Sequence, residues 1–285
     1  MSHLPTVGGA LESARTLGVD RLDAHLLLAH VLGCSRAWLL AHGDDALAED
    51  RALAFEALAR RRAAGEPFAY LVGEREFHGL TLAVSDAVLV PRPDTETLVD
   101  WALALLHGEL RDTLEPAVLD LGTGSGAIAL ALKNGCPRAR VWAGERSAQA
   151  LVVARANAAR LGLELRFAHG DWWDALAGEA DVPAFDLVVS NPPYIAADDP
   201  HLAALTHEPL SALVAADDGL ADIVRIATGA RARLRAGGWL LFEHGWAQAA
   251  AVQAILRRTG FGDIETRLDI EGRARCSGGR LISSL

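Results

Sequence analysis

The sequence predicts an α/β fold: a mainly parallel sheet with helices on both faces, preceded by a small helical bundle. Three observations carry that expectation. From Glu115 onward, short apolar runs alternate with helical apolar patterns. Several of those runs end in glycine-rich, acidic or proline-rich turns, at the edge where open α/β sheets bind ligands. Residues 4 to about 72 instead repeat apolar positions at helical spacing.

In the helical part, Leu22, Leu26, Ala29 and Leu32 share one face, as do Ala54, Ala57 and Leu58. Gly18, Gly33, Gly43 and Gly65 mark helix ends. Residues 75 to 90 alternate around Gly79 (Phe77, Leu80, Leu82, Val84), a hairpin signal. Pro91 and Pro93 then break the chain before an apolar helix from Asp94 to about His107. The expected organisation is a helical domain over 1–72, a β-hairpin connector over 73–93 and an α/β domain over 94–285. Ile264 to Leu268 and Arg280 to Ser283 are expected to close the sheet as a hairpin.

Composition narrows the function classes. The chain has 285 residues, 51% hydrophobic and 22% charged, enough for a full core and too apolar for disorder. Its net charge is −10 and its single lysine is Lys133, a poor balance for a duplex DNA binder. Arg60-Arg61-Arg62 is the one dense basic cluster, and it reads as a solvated helix end. No apolar stretch is long enough for a membrane helix, and Met1 to Asp20 lacks the order of a secretion signal. Cys34, Cys136 and Cys276 are odd in number and far apart, which fits a reducing cytoplasm and shows neither a zinc spacing nor a disulfide framework. No metal is expected.

The chemistry-bearing motifs fall at strand ends. Asn191-Pro192-Pro193-Tyr194 follows the apolar run Phe185 to Ser190. Two prolines fix two φ angles and remove two N–H donors, and the residue before them is pushed out of the helical region. The resulting stiff loop offers free carbonyls, an amide and an aromatic face, which suit a flat polar NH2 group. It holds no nucleophile and no strong base. An ordinary turn is the competing reading. Upstream, Val118 to Leu121 runs into Gly122-Thr123-Gly124-Ser125-Gly126 and then a helical pattern. Glycines permit close approach of a ligand, and the helix offers free N–H groups. A dinucleotide fingerprint fits the same spacing.

The run Ala139 to Gly144 ends at Glu145, about 23 residues after Gly122, where a carboxylate can hold ribose hydroxyls. The strand candidate Leu163 to Ala168 is followed by His169-Gly170-Asp171-Trp172-Trp173. Asp171 could accept from an exocyclic amine and Trp172 could cover a purine, core packing being the alternative for either tryptophan. His244 reads as a histidine bonded within the sheet edge rather than a base. His201 and His207 read as exposed, and Asp198-Asp199 as either facing substrate or capping the next segment.

These residues carry a resemblance. Asp120-Leu-Gly-Thr-Gly-Ser-Gly126 resembles the first motif of S-adenosylmethionine-dependent class I methyltransferases, and Asn191 to Tyr194 resembles their amino-methylating branch. Arg75-Glu-Phe77, Pro91-Arg-Pro-Asp-Thr-Glu96, His169-Gly-Asp-Trp172, Glu208-Pro209, Ala212-Leu213, Asp217, Gly219 and Glu243-His-Gly-Trp246 are similar to the bacterial release factor glutamine methyltransferases. The resemblance runs from about Arg21 to Ile282. It implies a Rossmann-like domain with a seven-stranded, mainly parallel sheet. It implies methyl transfer from S-adenosylmethionine to N5 of the glutamine in the Gly-Gly-Gln loop of class I peptide chain release factors, acting in translation termination in the cytoplasm.

By the same resemblance, Gly122, Thr123, Gly124, Ser125 and Gly126 would border the methionine part of the cofactor. Glu145, where the family usually has Asp, would hold the ribose. Asp171 and Trp172 would flank the adenine. Asn191, Pro192, Pro193 and Tyr194 would hold the acceptor glutamine, with Asn191, Pro192 and Tyr194 carrying catalysis and Asn191 also meeting the cofactor. Cys276-Ser-Gly-Gly-Arg280 matches the family's last strand less well.

By elimination, release factor recognition falls to the helical domain. The alternatives are a glutamine methyltransferase for a ribosomal protein, a DNA adenine-N6 methyltransferase, a non-catalytic cofactor-binding scaffold and an NAD-dependent dehydrogenase.

Overall fold

A computed structural model describes residues 5–282. The chain forms two compact units, Met1–Glu74 and Arg75–Leu285. The first is helical: α1 (Val7–Thr16), α2 (Arg21–Leu32), α3 (Arg36–Ala41), α4 (Glu49–Ala63) and α5 (Phe68–Val72). The first three helices start where the Thr6, Asp20 and Ser35 side chains accept from Gly9, Leu22 and Trp38 amides, supplying partners the helix itself lacks. Leu27, Leu28, Leu39 and Phe55 fill the core between them. The arginine cluster ends α4 in ion pairs, Arg60 with Glu56, Arg61 with Glu66 and Arg62 with Asp23, so these cations already have partners within the unit.

The hairpin is β1 (Glu74–Phe77) and β2 (Leu80–Ala83). Its two turn residues, His78 and Gly79, both have positive φ, the geometry a two-residue hairpin loop requires. Phe77, Leu80 and Leu82 are buried in the same core as the α/β helices. The buried Asn157 side chain bonds both the amide and the carbonyl of Ala83. The hairpin is therefore packed into the second unit rather than suspended as a linker. The next helix, α6 (Glu96–His107), starts two residues later than Asp94, because Pro93–Thr95 forms a 3-10 turn first.

The α/β elements are β3 (Ala117–Leu121), α7 (Ala127–Gly135), β4 (Arg140–Glu145), α8 (Ala148–Leu161), β5 (Arg166–His169), β6 (Phe185–Ser190), α9 (Ala221–Ala230), β7 (Leu234–Glu243), α10 (Ala249–Arg258), β8 (Phe261–Leu268) and β9 (Ala274–Leu281). They form a seven-stranded sheet in the order β5-β4-β3-β6-β7-β9-β8. All neighbours are parallel except β9, which is antiparallel to β7 and β8. The central strands β3 and β6 are buried along their whole length, as continuous apolar runs in a two-sided sheet should be. The chain reverses direction across the sheet between β3 and β6, and such a switch point opens a crevice at the carboxyl ends of the strands.

Two strand expectations are corrected. Leu163 and Leu165 pack against the core before the sheet begins, and β5 starts at Arg166. The last strand is Ala274–Leu281 rather than Arg280 to Ser283, and Ser283 lies outside the described residues. Cys276 to Gly279 lack the β-branched side chains that announce a strand, yet they pair with Glu243, Phe242, Leu241 and Leu240. The small residues are required by crowding. A Cβ at Gly278 would lie 2.3 Å from Leu241 Cδ2 and 2.8 Å from the Leu240 carbonyl oxygen. We predict that Gly278→Ala lowers unfolding free energy by about 2–3 kcal/mol, since overpacking forces neighbouring backbone to move. Urea denaturation measures it, and an unchanged midpoint would contradict the packing described.

Candidate active site

Register brings the site together. Leu121 pairs with Ser190 and with Gly144, and Glu145 pairs with His169. Four loops therefore leave the sheet at one level, and Ser190 Oγ ties two of them by donating to the Leu121 carbonyl at 2.7 Å.

The glycine loop is held by its neighbours. The amides of Gly122 and Thr123 both donate to the Gly144 carbonyl, at 2.9 and 3.0 Å. The Gly124 amide donates to Glu145 Oε2 at 3.0 Å, and the Ser147 amide to Oε1 at 2.9 Å. Gly122 sits at φ +77°, and a Cβ there would come within 3.1 Å of the Trp172 ring. Glycine is thus required both for the turn and for the ring. Beneath the loop, the fully buried Asp120 accepts from Thr123 Oγ1 at 2.6 Å and from the Ala129 amide at 3.2 Å. Burial pushes its carboxyl up to about 7, against the pull of those two donors and with a further push from Glu145.

After β5, Trp172 has φ +49° and turns its ring onto Gly122, while its Nε1 donates to Asp222 at 3.0 Å. Trp173 instead packs on α9, donating to the Ile226 carbonyl. Asp171 Oδ2 accepts from Arg225 at 2.5 Å, but its Oδ1 is buried without a partner.

In the proline loop, Pro192 and Pro193 are buried. Asn191 Nδ2 donates to Thr95 Oγ1 at 3.2 Å, and the Tyr194 hydroxyl donates to Glu243 Oε1 at 3.0 Å. Gln248 Nε2 donates to the Tyr194 carbonyl at 3.0 Å. Burial first, and then the charge of Glu243, push the Tyr194 phenol up, so it stays un-ionised. Burial also pushes the Glu243 carboxyl up, while the Thr95 and Tyr194 hydroxyls and the Arg275 charge pull it back.

A cleft of about 260 Å³ runs along these loop ends. Gly122, Thr123, Gly124, Ser125, Glu145, Asp171, Trp172, Asn191 and Pro193 line it. Gly126, which caps α7, does not, nor do Pro192 and Tyr194.

Similarity to known proteins follows the same outline. Residues 9–73 match the PrmC N-terminal domain and residues 95–214 the methyltransferase small domain. The release factor glutamine methyltransferase of Bordetella pertussis is 52% identical over 266 residues, covering 93% of this chain and 96% of that protein. This chain belongs to the release factor glutamine methyltransferase family. The relative of the same name from Escherichia coli is 45% identical, covering 91% of this chain and 92% of its own. A methyltransferase from Pyrococcus furiosus shares the fold at TM-score 0.50 and 15% identity, covering 72% of this chain and 90% of its own.

Sequence reasoning found the four loops but gave no role to what surrounds them. The segment carrying Val88, Leu89, Pro91, Arg92 and Thr95 forms a second wall of the cleft. Glu208 is buried, pairs with Arg92 and accepts from the Val90 amide at 3.1 Å, binding that wall to the loop beyond Tyr194. The signal was present in the family-like strings around Pro91 and Glu208, but a string does not say which side chain meets which. His244 is buried and bonded to Ser277 Oγ at 2.7 Å, as a sheet-edge histidine. His201 is exposed, and Asp199 caps the turn at Pro200–Ala204. Among the described residues no His, Cys, Asp or Glu cluster could hold a metal, and no helix is long and apolar enough to cross a membrane.

Asp120 yields a signed pH effect. Its folded pKa, about 7, lies above the unfolded value near 3.8. The folded state therefore binds the extra proton, and stability is lost as pH rises between those values. Relative to Asp120→Asn, the wild-type protein should lose stability progressively from pH 4 to pH 7, by at most about 4 kcal/mol, and then level off. Thermal melts of both proteins across that range measure the difference, and a pH-independent gap would contradict it.

Proposed function

We propose that this chain methylates N5 of the glutamine in the Gly-Gly-Gln loop of class I peptide chain release factors, with S-adenosylmethionine as donor. The observation that carries the reading is the amide of Asn191. Its NH2 is committed to Thr95, which leaves its oxygen to accept from a substrate NH2.

The cleft suits the donor. Asp171 Oδ1, buried without a partner, would accept from the adenine amine, with the Trp172 ring flanking the base. Each Glu145 oxygen takes only one backbone amide, so lone pairs remain for the two ribose hydroxyls. The longer Glu in place of Asp is absorbed by that bond to Gly124. The residues from Gly122 to Gly126 would border the methionine part. S-adenosylmethionine supplies a sulfonium methyl that is already strongly activated.

The chain's task is then alignment. An amide nitrogen is a poor nucleophile, because its lone pair is delocalised into the carbonyl. Asn191 Oδ1 and the Pro192 carbonyl would accept the two N–H bonds of the glutamine amide and stabilise positive charge growing on nitrogen. The two prolines hold those acceptors rigid, and the Tyr194 ring fixes the amide plane. Bringing nitrogen and methyl to about 3–3.5 Å supplies most of the catalysis. No general base is assigned, since the proton becomes acidic only as the new N–C bond forms.

Labelled S-adenosylmethionine with purified release factor, beside the factor whose loop glutamine is alanine, tests the reading. Label is expected on the normal factor alone, and Asn191→Ala should lower kcat by about 100-fold or more. Label on neither factor, with cofactor binding intact, would contradict the proposal and point to a ribosomal protein or DNA.

The helical unit would recognise the body of the factor, since a tripeptide loop offers little binding area. Leu40 and Leu53, each 61% exposed on this unit, are apolar surface of the kind that binds partners. The double variant Leu40→Glu, Leu53→Glu should raise KM for release factor by about tenfold and leave kcat unchanged. An unchanged KM in steady-state assays would remove this unit from recognition.

A further inference from the structure

We propose that the face of α9 carrying Asp222 and Arg225 sets the base preference of the cofactor cleft: Arg225 fixes the Asp171 carboxylate and Asp222 fixes the Trp172 ring. The proposal rests on the adenine role given to Asp171 and Trp172 above and names what enforces it.

The turn that follows β5 is laid along α9 (Ala221–Ala230) residue by residue. Arg225 Nη1 donates to Asp171 Oδ2 at 2.5 Å, and its Nη2 donates to Asp174 Oδ2 at 3.3 Å. One turn earlier on the same helix face, Asp222 Oδ1 accepts from Trp172 Nε1 at 3.0 Å. Trp173 packs so close to Gly229 that a Cβ there would lie 2.3 Å from its ring, and its Nε1 donates to the Ile226 carbonyl at 3.1 Å. Trp172 needs such support. Its φ of +49° is a left-handed conformation that a bulky residue keeps only when its surroundings hold it. Neither Asp222 nor Arg225 lines the cleft, so both act through the residues they hold.

The two bonds act on different properties of the bound base. A carboxylate turns about its Cβ–Cγ bond, and its charged form offers acceptors only. The planar guanidinium, anchored by Asp174 as well, takes Oδ2 and stops that rotation. Oδ1 is left buried without a partner on a residue of the cleft wall. Such an acceptor favours a ligand N–H and disfavours a ligand oxygen. Adenine carries an amine donor where hypoxanthine carries a carbonyl oxygen. Arg225 therefore acts on selectivity. Asp222 holds a ring that would lie against either base, so it acts on affinity alone. The ion pair itself is at the surface, with the Arg225 side chain 47% and the Asp171 side chain 41% exposed. A surface ion pair adds little to fold stability, so selectivity and stability can be read separately.

The test titrates the full chain calorimetrically with S-adenosylhomocysteine and with S-inosylhomocysteine, its hypoxanthine counterpart. The wild type should bind the adenine compound at least about tenfold more tightly. Arg225→Met should weaken the adenine compound about 5- to 10-fold and change the hypoxanthine compound by less than about twofold, so that the preference collapses. Its melting temperature should stay within about 2 °C of the wild type. Arg225→Lys, which keeps a charged donor for Asp171, should recover most of the preference. Asp222→Ala should weaken both compounds by the same factor, about 3- to 10-fold. Asp222→Asn, which keeps an oxygen for Trp172 Nε1, should bind both as the wild type does.

A wild type without preference, an Arg225→Met protein that keeps it, or one that loses both compounds equally would overturn the proposal. So would an Asp222→Ala protein with wild-type affinity for both. No release factor enters these titrations. A protein that shows the expected preferences yet leaves release factor unlabelled would count against the acceptor in the proposed function alone.

Discussion

The pairing of β3 with β6 is the constraint on which the rest depends. Because Leu121 stands beside Ser190, the glycine loop and the proline loop leave the sheet together. The Ser190 hydroxyl, donating to the Leu121 carbonyl, locks that register from within the core. A slip of one residue would turn every buried side chain of β6 to the opposite face. It would also move Asn191 away from the cleft. The position of the chemistry is thus set by the most buried part of the molecule.

Around that pair, polar groups are placed in a low-dielectric setting where few arrangements are tolerated. Asp120, Glu208 and Glu243 are all buried carboxyls, and each is bonded to a loop or wall of the site. Asp120 Oδ1 and Glu243 Oε2 are buried without a partner, so these carboxyls are only partly satisfied. Asp120 and Glu243 tie the glycine loop and the proline loop to the sheet, and Glu208 ties the second wall of the cleft to the loop beyond Tyr194. An enzyme that works by alignment needs this rigidity more than it needs an acid or a base.

Much of this was legible in the sequence, for local reasons. The motif at Gly122 to Gly126 and the one at Asn191 to Tyr194 are contiguous, and prolines and glycines dictate backbone shape wherever they fall. Glu145 and Trp172 were legible because parallel strands put their ends on one edge. Thr95 and Glu243 were not, since their partners lie 96 and 49 residues away and no periodicity links them. β9 was misjudged for another reason. Gly278 and Gly279 look like loop residues, but the missing side chain of Gly278 lets Leu241 and Trp101 close over the strand, and that of Gly279 leaves room for Phe261 and Ile264.

The proposed seat of the acceptor amide lies between Asn191 Oδ1 and the Pro192 carbonyl, beside Gly122 to Gly126. A crystal structure of the protein with S-adenosylhomocysteine and a peptide carrying Gly-Gly-Gln tests it most directly. The glutamine NH2 is expected to bond to Asn191 Oδ1 and to the Pro192 carbonyl, with its nitrogen aimed at the cofactor sulfur. A glutamine seated elsewhere, or bound there through its carbonyl to the Asn191 NH2, would contradict it.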